Sequence, residues 1–216
     1  MTTLRSYDDP CGIARALDRI GERWALLIVR ELLLGPRRFT DLRAGLPRAS
    51  PNVLSQRLDE LETVGIVQRR TLPPPAASAV YELTPWGEEL EPVILSLARW
   101  GSRAPLSKGE LSTSALMIAL ETTFDADAAD GLRARLSLTM NSEPFCVDIA
   151  RKRLSIERGP CTDPDATITT DARSLRAVAF GIEPLRQVRR DGRIEITGDE
   201  TLAQRFLGLF RRPSPA

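Results

Sequence analysis

The sequence predicts an α+β protein in two parts: a helical half closed by a two-stranded ribbon, then an antiparallel sheet with helices packed on it. Three observations predict this. From residue 10 to about 106, apolar residues recur three and four apart, the period of a helix buried along one stripe. From about 130 to 170 they alternate, the period of a strand buried on one face. Between these stretches lies SRAPLSKG (Ser102–Gly109), whose small residues, proline and glycine have linker chemistry. The expected domains are therefore residues 1–106 and 107–216.

The helical half is punctuated by caps and breakers. Asp9-Pro10 is a capping residue followed by proline, which predicts a first helix with Ile13, Ala16, Leu17 and Ile20 as its core stripe and Gly21 as its stop. A second helix covers Trp24–Leu34 and ends at Gly35-Pro36. Thr40 is placed to cap a short third helix that Pro47 stops. Ser50-Pro51 opens a fourth, with Leu54, Leu58, Leu61 and Val64 on its apolar side and Gly65 at its end. Val67–Leu72 and Val80–Leu83 are extended runs around a Pro/Ala/Ser segment, a hairpin pattern. Thr84-Pro85 then caps a long helix reaching about Arg103. Four helices, a ribbon and a helix make the order of a winged helix-turn-helix.

In the second half Ala134, Leu136, Leu138 and Met140 share one strand face, followed by Phe145, Val147 and Ile149, then Leu154 and Ile156, then Ala166 and Ile168. Asn141–Glu143 and Ala150–Lys152 read as hairpin turns. A helix from about Ala172, another over Pro184–Arg190, a strand Arg193–Thr197 and a closing helix Glu200–Phe210 complete an α+β layer.

Composition removes whole function classes. The chain has no histidine, so Ser-His-Asp and Cys-His catalysis, Cys₂His₂ zinc fingers and histidine pH switches are excluded. No polar catalytic cluster stands out, and the reading is that of a non-enzyme without cofactor or metal. Asp163, Asp165 and Asp171 lack the oxygen spacing of a calcium loop, and turn and capping roles suffice for them. The longest apolar runs, Trp24–Val29 and Ala115–Leu120, are six residues against the roughly 20 that span a bilayer. The first ten residues have no apolar signal core, and three widely spaced cysteines without a CxxC pair read as reduced thiols in a cytoplasmic protein.

A formal charge of +1 argues at first against nucleic acid. The charge is unevenly placed, however: between Arg37 and Arg70 seven arginines face four acids. That window holds the fourth helix, whose outward side carries Asn52, Ser55 and Gln56 in its first turns and Asp59 and Glu60 later. A helix entering the major groove presents its N-terminal residues to base edges, and amides pair bidentately with adenine. Arginine forks suit phosphate. The candidate DNA contacts are Arg37, Arg38, Arg48, Ser50, Asn52, Ser55, Gln56, Arg57, Arg69 and Arg70. Taken singly, Asn52, Ser55 and Gln56 equally fit a solvated helix face, and Arg57 is spaced to pair with Glu60 instead.

Three strings carry a family likeness: CGIARALDRIGERWALLIVRELLLGPRRFTDLRAGLP, SPNVLSQRLDELETVGIVQRR and YELTPWGEELEPVILSLARWG. From Cys11 to Ser102 the chain resembles the HxlR-type branch of the MarR-like winged-helix transcriptional regulators. The resemblance implies a homodimer, joined through the terminal helices of this module, that binds an inverted-repeat operator on double-stranded DNA. It implies the Ser50–Gly65 helix in the major groove and the Val67–Leu83 hairpin as wing. The wing tip, PPPAASAVYEL, departs from the family in lacking a basic residue, so it reads as a stiff exposed loop, with Arg69 and Arg70 at its base left to touch phosphate. Cys11 stands where family members place a redox- or electrophile-sensing cysteine; a small core residue is the other reading of it.

The strings RLSIERGPCTDPDATITTD and DGRIEITGDETLAQRFLGLF resemble sterol carrier protein type 2-like domains. This implies an apolar tunnel for a hydrophobic small-molecule effector, or support for the dimer. Met117, Ile118, Phe124, Met140, Phe180, Phe206 and Phe210 serve equally as ordinary core. The expected function is a sequence-specific DNA-binding transcriptional regulator, a dimeric repressor whose second half binds a hydrophobic effector. The alternative is a carrier of lipid or hydrophobic metabolite that uses the first half for dimerisation.

Overall fold

The computed structural model describes residues 6–74, 77–105 and 109–211. Contacts divide the chain into two compact units, Met1–Ile94 and Leu95–Ala216. The boundary expected at 106/107 falls among residues 106–108, outside the described residues.

The first unit runs α1 (Gly12–Ile20), α2 (Ala25–Leu32), α3 (Phe39–Gly45), α4 (Pro51–Thr63), β1 (Val67–Thr71), β2 (Ala79–Leu83) and α5 (Pro85–Glu88), and α6 (Glu91–Gly101) begins at its end. Local chemistry explains the ends. Ser50 Oγ accepts the Val53 N–H at 3.4 Å and Pro51 supplies the first helical φ of α4, as the sequence predicts. Thr84 Oγ accepts the Gly87 N–H at 3.1 Å and caps α5.

Other ends differ from expectation. Cys11, not Asp9, is the N-cap of α1, and Asp9 instead takes the Cys11 N–H at 2.9 Å. Thr40 lies inside α3, which is capped from Asp41: its carboxylate accepts the Arg38 N–H at 3.1 Å. The long helix expected from Thr84 to Arg103 is two helices, broken at Glu89 and Leu90. Pro92 explains the break, since it has no N–H for the Glu88 carbonyl and its ring crowds that oxygen.

The core of this unit joins Ile28, Val29 and Leu32 of α2, Leu42 of α3, Leu54, Leu58 and Leu61 of α4, and Ile66 and Val80 around the ribbon. α2 packs on α3, α4 and β2. α1 is the exception: of its predicted stripe only Ile20 is buried, while Ile13 is 72% and Leu17 43% exposed.

The second unit carries α7 (Thr113–Thr123), β3 (Ala134–Met140), β4 (Glu143–Ala150), β5 (Arg153–Arg158), β6 (Ala166–Thr170), α8 (Ala172–Ala179), α9 (Leu185–Arg190), β7 (Ile194–Gly198) and α10 (Glu200–Leu207). The sheet order is β5-β4-β3-β6-β7, antiparallel throughout except for the parallel pair β3–β6. Asn141-Ser142 and Arg151-Lys152 form two-residue turns with all four φ positive, the twist that matches paired strands. α7 packs on β5, α9 on β7, and α10 on β6 and β7. Against this layer lie Leu136, Leu138, Met140, Phe145, Val147, Met117 and Phe206, all fully buried.

One expectation fails here. Cys146 and Cys161 are not reduced thiols: they form a disulfide, with Cα atoms 4.7 Å apart. The chain leaving β5 turns back over β4, which brings together two residues that are fifteen apart in sequence with no motif to announce the pair.

Gly87 is pressed against the ribbon, and a Cβ there would lie 2.2 Å from the Ile66 carbonyl oxygen. Backbone cannot yield as a side-chain end can. Gly87→Ala is expected to lower stability by about 1–3 kcal/mol, measured as a reduced urea unfolding midpoint.

Candidate nucleic-acid interface

Burial of Leu54, Leu58 and Leu61 fixes the rotation of α4 and with it the opposite face. Asn52 and Gln56 are exposed and Ser55 half-buried on that face, with Ser50 exposed at the cap. Three arginines are exposed ahead of this helix in the chain: Arg38 at the N-cap of α3, Arg43 in its last turn, and Arg48 in the turn before Ser50. None of the three forms an ion pair among the described residues. Arg43 was not among the sequence candidates; its exposure is set by the packing of Leu42, its neighbour, into the core.

Arg57, Arg69 and Arg70 are held by acids. Arg57, 14% exposed, pairs with Glu60 on its own helix and lies 3.5 Å from Glu22. Arg69 reaches Asp59 at 2.8 Å and Glu62 at 3.3 Å, and its guanidinium lies 4.9 Å over the Tyr81 ring. Arg70 pairs with Glu82 at 2.8 Å, and Gln68 donates to the same carboxylate at 3.0 Å. Gln56 donates to Glu60 at 2.9 Å. Arg37 is half-buried and makes a one-residue third strand, exchanging backbone hydrogen bonds of 2.9 and 2.8 Å with Tyr81.

These pairs leave an electrostatic signature. The hydrogen bond from Arg70 holds Glu82 below the usual carboxylate range against the opposing effect of burial, and the same bond raises Arg70. The stability this adds is complete above the ordinary glutamate value and fades as pH falls through the lowered one. Burial raises the Tyr81 phenol.

Thus the structure leaves Arg48, Ser50 and Asn52 exposed at the start of α4 and Arg38 exposed at the start of α3, and places Arg57, Arg69 and Arg70 in ion pairs. The pairs escape a sequence reading because Arg69–Asp59 and Arg70–Glu82 join residues ten and twelve apart through the α4–β1 and β1–β2 turns. Of the wing tip, Pro75 and Ala76 lie outside the described residues. Cys11 is exposed with a free thiol, so it is not a core residue. Among the described residues no cluster of three or more His, Cys, Asp or Glu could hold a metal, and no helix is long and apolar enough to cross a membrane.

A family model described as HxlR-like helix-turn-helix matches residues 19–107. The HTH-type transcriptional regulator YvaP of Bacillus subtilis (strain 168) is 40% identical over 88 residues, which are 41% of this chain and 82% of that protein. The chain belongs to the HxlR-like helix-turn-helix family. A second HxlR-like relative, the HTH-type transcriptional regulator YodB of the same organism, is 35% identical over 88 residues, 41% of this chain and 79% of that one. Among solved structures, the redox regulator HypR in its oxidised form is 31% identical and overlaps 45% of this chain and all of that one, with a TM-score of 0.42. Residues 104–216 match the family described as alkyl sulfatase C-terminal; the sequence suggests sterol carrier protein type 2 for this half, and that is not the family the match names.

Asp59, Glu62 and Glu82 hold Arg69 and Arg70 in ion pairs at the base of the ribbon. Exposed ion pairs are weak in water, so a phosphate can replace them. Glu82→Gln, which leaves Arg70 unpaired, is expected to tighten DNA binding a few-fold and to steepen the log–log salt dependence by about 0.9 for the one phosphate gained. Fluorescence anisotropy across a salt series measures both.

Proposed function

We propose that this regulator is a dimeric repressor that reads an inverted-repeat operator through the N-terminal turns of α4. The observation that carries this reading is the exposure of Asn52 and Ser50 at the start of α4, with exposed Arg48 two residues before the cap and exposed Arg38 and Arg43 at the two ends of α3, none of the three ion-paired among the described residues. Amide and hydroxyl groups there are placed to meet base edges, while the arginines flank them for phosphate. Arg69 and Arg70 serve as phosphate contacts once they leave their acids, and Gln56 becomes a base contact once it leaves Glu60. Arg57 and Arg37 position the helix and the ribbon.

Dimerisation is supported by apolar surface left exposed among the described residues. α1 exposes Ile13 and Leu17; α6 exposes Val93, Leu97 and, at 75%, Trp100, spaced four and three apart on one face. Large apolar groups lined up in water mark a protein interface. A second copy as occupant gives the two-fold symmetry an inverted repeat requires.

The second unit is proposed to bind a hydrophobic effector, supported by its alkyl sulfatase C-terminal match and by a helix, α7, that is apolar and buried on most sides. Linkage requires the effector to prefer one DNA-binding state. Cys11, exposed at the start of α1, is proposed as a thiol input beside it.

Binding to the chain's own upstream DNA tests the reading. Asn52→Ala is expected to relax base preference by about 1–3 kcal/mol at one position, whereas Arg48→Ala weakens all sequences alike and lowers the salt slope by about one. Equal, weak affinity for every sequence would sink it. Leu97→Asp with Trp100→Asp is expected to give a monomer in sedimentation equilibrium and to lose operator binding. Native mass spectrometry of the purified chain reports a retained apolar ligand, and such a ligand in a protein indifferent to DNA would favour the carrier reading.

A further inference from the structure

The sheet of the second unit has helices on one face. On the other face Cys146 stands between Ser137 of β3 and Glu157 of β5, with Asp148 two residues along. β5 and β6 both run parallel to β3, yet β4 and β3 lie between them. Residues 159–165 therefore have to cross two strands without a helix. They cross over the face that carries Cys146, because Cys161, early in the crossover, is bonded to it in mid-strand.

At the start of this crossover the Gly159 N–H donates to the Pro144 carbonyl at 2.9 Å. At its end Asp165 is clamped to β3: the Arg135 N–H donates to its carboxylate at 2.7 Å, and its own N–H donates to the Arg135 carbonyl at 2.8 Å. Between these points no hydrogen bond holds residues 162–164 among the described residues. Asp163 sits there at φ 49°. The disulfide is thus the tie that keeps the middle of the crossover on the sheet. Both of its cysteines are partly exposed, within reach of a small thiol.

We propose that Cys146 and Cys161 are a reversible two-electron redox couple that fastens and releases this crossover. In reduction, a thiolate of a small dithiol attacks one sulfur, the S–S bond breaks and the other cysteine leaves as a thiolate that takes a proton. The second thiol of the dithiol then displaces the first cysteine, which is protonated in turn. The protein gains two electrons and two protons, and the reductant departs as its own disulfide. A low-molecular-weight disulfide runs the sequence backwards. Released, residues 160–164 keep only the ties at Gly159 and Asp165, and the half-buried Ser137 and Cys146 gain exposure to solvent.

The test uses the full chain with Cys11→Ser, so that only this pair is counted. After oxidised glutathione, native alkylation read by intact mass is expected to add no label; after dithiothreitol without denaturant, two labels; after reoxidation, none. Hydrogen exchange of the Gly159 and Asp165 amides, the bonded N–H groups at the two ends of the crossover, is expected to rise at least tenfold on reduction while β3 and β4 stay protected. Cys161→Ser is expected to show the fast exchange in either buffer. Two labels after the oxidant, none after the reductant, or exchange indifferent to redox state would each overturn the proposal. The wild-type comparison stands even where a variant fails to fold.

Discussion

Everything the first unit offers to a partner depends on one act of burial. Leu54, Leu58 and Leu61 are removed from water against α2 and the start of the ribbon, and a helix anchored by three leucines cannot rotate about its axis. The outward set is then decided by subtraction: Asn52, Gln56 and Asp59 have nowhere else to point. Ser50 fixes where the helix begins, and Gly87, flush against Ile66, fixes how closely the next segment closes over β1 and β2. Position, roll and backing are set by residues that themselves touch no ligand.

Most of the architecture was legible because local chemistry and global fold agree. The Ser50-Pro51 and Thr84-Pro85 caps, the leucine stripe and the alternation from Ala134 to Met140 each point to the element that forms. The misreadings have physical causes. Ile13 and Leu17 have helical spacing but no cover among the described residues, and periodicity cannot say whether a stripe faces its own core or a second molecule. Pro92 cuts a run that reads as one helix. The contacts of Arg69 and Arg70 are set by the pairing of α4, β1 and β2 in space, so counting charges along the chain finds a basic window where the folded surface holds ion pairs.

The second unit shows how topology hides chemistry. Cysteines fifteen apart with no motif say little, whereas a parallel β3–β6 pair reached without a helix demands a crossover on an otherwise open face, directly above Cys146. This unit matches the alkyl sulfatase C-terminal family and folds as a sheet-and-helix layer. Neither speaks of thiols, and the pair becomes visible only once the strand order is known.

The ion pairs around the wing base bear on how such a protein finds its site in a genome. Any regulator is diluted by on the order of 10⁶–10⁹ competing sequences that differ from its operator only in their bases. In the proposed binding mode, opening Arg69 from Asp59 and Arg70 from Glu82 costs the same wherever the protein lands, while the amide of Asn52 gains its partner at one place only. A surface neutralised by its own carboxylates therefore lets go of ordinary DNA sooner, and more of the search is spent moving than waiting.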